Sequence, residues 1–138
     1  VRCCQRSRCF VFDATLRNRD VAHKFMARLK AVARRGLRIC IVKVETDVEL
    51  CLKRTRMREL MEGRPVPQEY VRNCNEQSRH TAEAFRGDEM VDLLIRVRND
   101  RDGADPVFLP VGALAELERF VDEEGEDAAS AERLGVVP

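Results

Sequence analysis

At 138 residues, with 44% hydrophobic and 36% charged side chains, the chain has the size and composition of one soluble domain. It holds no apolar run near the roughly 20 residues that cross a bilayer, and no signal-peptide pattern. The net charge of +1 hides an asymmetry: residues 1–64 carry 17 Lys+Arg against 7 Asp+Glu, a net +10, and residues 65–138 carry 8 against 17, a net −9. The basic half suits an anionic partner such as a nucleotide, a sugar phosphate or a nucleic acid, or it neutralises the acidic half across the fold. Nucleic acid is the weaker candidate, because one tyrosine and no tryptophan give no stacking platform for bases. The chain begins at Val1 and not at Met, and is read as a piece of a longer protein.

Six cysteines, Cys3, Cys4, Cys9, Cys40, Cys51 and Cys74, match no zinc spacing. Cys40 within an apolar run and Cys51 on a helix face read as buried free thiols, which points to a reducing cytoplasm.

In chain order, Cys9–Phe12 is a short apolar run that predicts a buried strand. Helical spacing of Val21, Phe25, Leu29 and Val32 predicts a helix over Arg19–Arg35, stopped by Gly36. Ile39–Val44 is a near-continuous apolar run of the kind found in a parallel strand covered on both faces. Thr46-Asp47-Val48-Glu49 has the form of a capping box, with a helix starting at Asp47 and turning Val48, Cys51, Leu52 and Thr55 inward. Gly63 and Pro65 end that helix. Pro67 opens another, running to about Phe85 with Gly87 as its stop. Met90–Val97 predicts a third strand, Asn99–Gly103 a turn, and Val107–Leu109 a brief extended piece. Pro110 then opens an amphipathic helix through Val111, Leu114, Leu117, Phe120 and Val121. Residues 1–121 form the domain, and 122–138 read as an acidic, disordered tail. Alternation of strands and helices is the mark of a parallel α/β sheet with right-handed crossovers. Three strands are few for a doubly wound sheet, so the sheet is expected to be incomplete, with unpaired edges.

Two stretches carry candidate chemistry. Asp13, Thr15 and Arg17 follow an apolar run at what would be a strand's carboxyl end, where open α/β sheets bind ligands. A carboxylate takes a hydroxyl proton or supports Mg²⁺, a hydroxyl donates to phosphate, and a guanidinium forks onto it. The structural alternative, a helix cap, falls more naturally to Asn18 or Asp20. Arg54, Arg56, Arg58 and Arg64 crowd residues 53–67, a helix and a proline-stiffened loop. Arg54 and Arg58 share a helix face and fit surface pairing with Glu59 and Glu62. Arg56 and Arg64 are better placed to act on an anion. Turn chemistry accounts for Asn99 and Asp100, and ligand contact there is the lesser reading. No glycine-rich phosphate loop occurs anywhere in the chain.

Taken in order, Asp13-Ala14-Thr15-Leu16-Arg17, a helix, an apolar strand, Arg56, Arg64 and Pro65-Val66-Pro67 resemble the zeta toxin family of P-loop kinases over about Phe10 to Asp100. The resemblance implies a three-layer α/β/α fold of P-loop kinase type. It also implies transfer of ATP's γ-phosphoryl group, with Mg²⁺, to a hydroxyl of UDP-N-acetylglucosamine. By that resemblance Asp13, Thr15 and Arg17 are substrate-binding, Arg56 and Arg64 are catalytic lid arginines, and Asn99 and Asp100 border the nucleotide base. An antitoxin-like protein is the implied partner. The chain departs from the family pattern in Ala14, where glycine is usual, and in lacking the Walker A loop and the aspartate base, expected upstream of Val1. Two other readings stay open: a P-loop kinase for another small molecule or a polynucleotide end, and a non-catalytic module that binds a nucleotide or a protein.

Overall fold

The fold is built on one parallel strand pair. In a computed structural model that describes residues 9–33 and 36–122, β1 (Cys40–Glu45) runs parallel to β2 (Leu93–Arg98), and β2 pairs antiparallel with β3 (Val107–Leu109). The strand order is β1-β2-β3, a mixed sheet of three strands flanked by helices. The outer edge of β1 has no partner among the described residues, and Val42 and Val44 are 45% and 53% exposed. This is the incomplete α/β sheet that the element pattern predicts, with the brief antiparallel strand added.

Register divides the sheet into two unlike faces. Side chains alternate along a strand, and the pairings Lys43↔Arg96 and Glu45↔Arg98 put four charged residues on one face. The other face carries Ile95 and Val97, buried with Ala113 and packed by Cys40, Leu93, Phe108 and Leu117. Phe85 and Ile95 are the largest fully buried side chains, so the described core is small.

Helix α1 (Arg19–Val32) begins where Asn18 accepts a hydrogen bond from the Val21 amide at 3.0 Å, and it buries Met26 and Leu29. Helix α2 (Val48–Glu62) starts one residue later than the capping-box reading. Asp47 is the N-cap, its carboxylate accepting from the Glu49 and Leu50 amides at 2.9 and 3.3 Å. The carboxylate serves the cap, while the Thr46 hydroxyl turns instead to the Asn99 carbonyl at 3.1 Å. Gly63 ends α2 with φ +67°, a left-handed geometry that costs glycine little. Helix α3 (Gln68–Ala84) follows with Pro67 as its N-cap, and it buries Ser78, Thr81 and Ala82.

Two expectations fail. Cys9–Phe12 forms no strand and is exposed throughout. A strand needs a neighbour to take its backbone hydrogen bonds, and no described strand lies beside it. The final helix, α4 (113–122), begins after a turn in which the Ala113 amide donates to the Pro110 carbonyl at 3.0 Å. Its inward face is Ala113, Leu117 and Phe120, while Val111 is 99% and Leu114 45% exposed. A small side chain at 113 lets the helix approach Ile95 and Val97 closely. The acidic tail beyond residue 122 lies outside the described residues, as do Arg34 and Arg35 at the expected end of α1.

Candidate functional site

Residues 9–18 run without regular structure into α1. Asp13 and Thr15 are exposed and make no hydrogen bond among the described residues. Asn18, and not Asp13 or Thr15, caps α1, which leaves both side chains available to a ligand. Between Thr15 and Arg17, Leu16 holds φ +50°. A left-handed residue other than glycine costs on the order of 1 kcal/mol, and such strain concentrates where a segment's shape serves a ligand. The turn sends Arg17 onto α3, its guanidinium 5.2 Å from the centre of the Tyr70 ring. Tyr70 lies in the first turn of α3, directly after Arg64-Pro65-Val66-Pro67. The structure thus brings the Asp13–Arg17 segment beside the exit of the arginine-rich loop. Behind it, Phe12 stacks on Phe25 at 4.7 Å, and Arg19 ties α1 to Asp88 at 3.1 Å. The Met90 amide and then Arg19 hold the Asp88 carboxyl below its ordinary range.

The four arginines of the 53–67 stretch separate clearly. Arg54 is structural: it donates to the Asn99 carbonyl at 3.0 Å and to Asp102 at 2.9 Å, so its partners are not Glu59 or Glu62. Every residue from Arg56 to Pro65 is exposed. Arg56, Arg58 and Arg64 have no ion-pair partner among the described residues, and no hydrogen bond joins Arg56 or Arg64 to Asp13 or Thr15. Asn99 and Asp100 brace the start of α2, the Asn99 carbonyl through Thr46 and Arg54, and Asp100 by accepting from the Asp47 amide at 2.9 Å. Both also line an open cleft of about 410 Å³ along residues 98–107.

A second cleft, of about 290 Å³, opens at the carboxyl ends of β1 and β2. It is lined by Lys43, Glu45, Thr46, Asn75, Arg79 and Arg96 among others. Arg96 grips Glu45 with two hydrogen bonds of 3.0 and 2.7 Å, which raise the arginine's pKa further. Lys43 donates to the Ser78 hydroxyl at 2.8 Å and to the Val44 carbonyl at 3.3 Å. Burial lowers its pKa, against smaller opposing effects of Glu45 and Cys51. Inspection of the sequence for catalytic motifs misses this cleft. Its signal was Lys43 inside an apolar strand, with Arg96 and Arg98 two apart in the next.

The three-stranded mixed sheet flanked by helices, with charged groups at the carboxyl ends of its parallel pair, has the architecture of an incomplete α/β/α fold of P-loop kinase type. The family model described as Zeta toxin matches residues 3–105, and the chain belongs to the zeta toxin family. No curated protein and no solved structure gives a significant match. The family implies kinase-type chemistry with a nucleotide and Mg²⁺ in general. Among the described residues no group of three or more His, Cys, Asp or Glu side chains is placed to hold a metal ion. Mg²⁺ in phosphotransferases is carried largely by the substrate's phosphates with one or two carboxylates. No helix among those residues is long and apolar enough to cross a membrane.

Proposed function

We propose that the chain contributes the acceptor segment and the lid of an ATP-dependent kinase of zeta toxin type, acting on a hydroxyl of a nucleotide sugar such as UDP-N-acetylglucosamine. The observation that carries this reading is the Asp13–Arg17 segment. Its left-handed Leu16 turns Arg17 onto Tyr70, at the exit of the loop that holds Arg64. In this reading Asp13 accepts a hydrogen bond from a sugar or ribose hydroxyl, and Thr15 and Arg17 hold the phosphate of the acceptor. Arg56 and Arg64, exposed and unpaired, meet the charge that develops on the transferred phosphoryl oxygens; a comparable arginine is worth about 10³–10⁵ in rate. Neither has an ion-pair partner among the described residues, a property they share with Arg58, so neither guanidinium is engaged there by a carboxylate that would compete with an anion. Asn99 and Asp100 border the base, in the cleft they share. The 138 residues hold no GxxxxGK[ST] run, so the backbone amides that cradle ATP's phosphates come, in this reading, from a longer parent, and the chain alone does not turn over. The setting is the cytoplasm, with an antitoxin-like protein as a further partner.

The test is calorimetric titration of the longer parent with UDP-N-acetylglucosamine. Arg17→Ala is expected to weaken binding about tenfold or more, the loss of one or two charge-assisted hydrogen bonds. Unchanged affinity would contradict the assigned role. A substrate panel with labelled ATP separates this acceptor from another small molecule or a polynucleotide end.

A further inference from the structure

We propose that the cleft between α3 and the charged face of the sheet is a second anion site, which takes a phosphate dianion or phosphate monoester between Lys43 and Arg79. Charge pairing inside the cleft carries the inference. Four cations line it, Lys43, Arg79, Arg96 and Arg98, with three carboxylates, Glu45, Asp47 and Asp100. Arg96 is matched to Glu45 at 2.7 Å, and Arg98 to Asp100 at 3.4 Å. The Asp47 carboxylate is committed to the amides that open α2. Lys43 and Arg79 then form no ion pair among the described residues, and the side chains lining the cleft carry one net positive charge. Arg79 is exposed on α3, has no partner among the described residues, and offers a planar fork suited to phosphate. Lys43 has three N–H donors, and Ser78 and Val44 take two of them. The third is available, and the Asn75 side chain lines the same wall.

Position supports the assignment. The cleft sits at the carboxyl ends of the parallel pair, the side on which open α/β sheets gather ligands. Placing a lysine in the middle of a strand, under a helix, is costly unless something repays it. Burial lowers the Lys43 pKa, against smaller opposing effects of Glu45 and Cys51. None of Asp13, Thr15, Arg17, Arg56 or Arg64 lines the cleft, so the site is separate from the proposed acceptor segment and lid.

The experiment titrates the chain with inorganic phosphate at constant ionic strength and follows backbone amide shifts by NMR. The expected result is shifts concentrated at residues 43–47 and 75–79. Arg79→Gln, an exposed change that leaves the fold intact, should weaken binding about tenfold, and Lys43→Met by at least as much. A control variant, Arg28→Gln on the exposed face of α1 and outside the cleft, should bind phosphate as the wild type does. A parallel titration with a nucleoside monophosphate distinguishes the source: tighter binding assigns a phosphate ester, and equal binding the phosphate group alone. Scattered shifts, wild-type affinity in Arg79→Gln, or an equal loss of binding in Arg28→Gln would each overturn the proposal without touching the kinase reading.

Discussion

Residues 40–109 and residues 9–18 obey the same physics with opposite results. In the first region, β1 finds β2 in register over Cys40–Glu45, and β2 finds β3. The Ile39 amide reaches the Asp92 carboxylate at 2.7 Å, and the Asn99 amide reaches the Glu45 carbonyl at 2.8 Å. In the second region, an equally apolar run, Cys9–Phe12, lies exposed and outside the described sheet. Local composition is alike in the two; what differs is a neighbour. The proposed acceptor segment is therefore held by side-chain anchors at its ends: Phe12 on Phe25, Arg17 on Tyr70 and Asn18 on α1.

The sharpest way to break this contrast is at Phe85, which is fully buried where the end of α3 meets the Arg19 guanidinium, 5.7 Å from its ring. Phe85→Ala removes the largest side chain of a small core and should cost about 3–5 kcal/mol. That is a large part of the stability of a domain this size, so urea denaturation should find the variant largely unfolded. A loss below about 1 kcal/mol would mean that the buried core lies elsewhere.

A milder probe uses alkali. Cys40 packs against the Ile95, Val97 and Ala113 cluster. Burial first, and then the Glu116 carboxylate, push its thiol up from 9.0 to about 11. The folded thiol keeps its proton where the unfolded one has lost it. Its contribution to stability is complete below pH 9 and is lost as pH climbs towards about 11. Lys43 runs the other way: its folded pKa is lowered from 10.5, so its contribution improves as pH rises towards that value. The difference between wild type and Cys40→Ala isolates the thiol. In urea denaturation the wild type should lose more stability than the variant over that window; parallel curves would place Cys40 in contact with water.

How much of this was legible follows from how far each feature reaches along the chain. The caps and stops are local, and Gly63, the start of α1 and the ends of α3 follow from spacing and a few residue types, whereas α1 stops at Val32, short of the expected Arg35 and Gly36. The β1 and β2 runs are apolar enough to be read directly. Three features needed partners that the sequence places far away. Arg54 looks like a surface cation until Asp102, 48 positions on, takes it. Lys43 looks like an irregularity in a strand until register sets Arg96 beside it and α3 brings Ser78. Cys9–Phe12 has a strand's composition without a strand's neighbour. The inward face of α4 was misread for a packing reason, because Ala113 is the residue small enough to lie against Ile95, and apolarity alone favoured Leu114.

The smallest predicted effect tests the acceptor segment directly. Phe12 is 62% exposed and keeps one aromatic neighbour, Phe25, with ring centres 4.7 Å apart and planes tilted by 35°. An aromatic pair contributes about 0.5–1.5 kcal/mol beyond area burial, and exposure of most of the Phe12 ring puts this one at the low end. Phe12→Ala should therefore cost less than about 1 kcal/mol in urea denaturation, with the unfolding slope unchanged, since little surface is exposed on losing it. The comparison with Phe85→Ala matters more than either value. Two phenylalanines with the same transfer free energy should differ several-fold in cost, because one is enclosed and the other only leans on a neighbour. A loss at Phe12 approaching that at Phe85 would require residues 9–12 to be packed as a covered strand. Asp13, Thr15 and Arg17 would then stand at the end of a rigid sheet element and not on a segment anchored at its two ends.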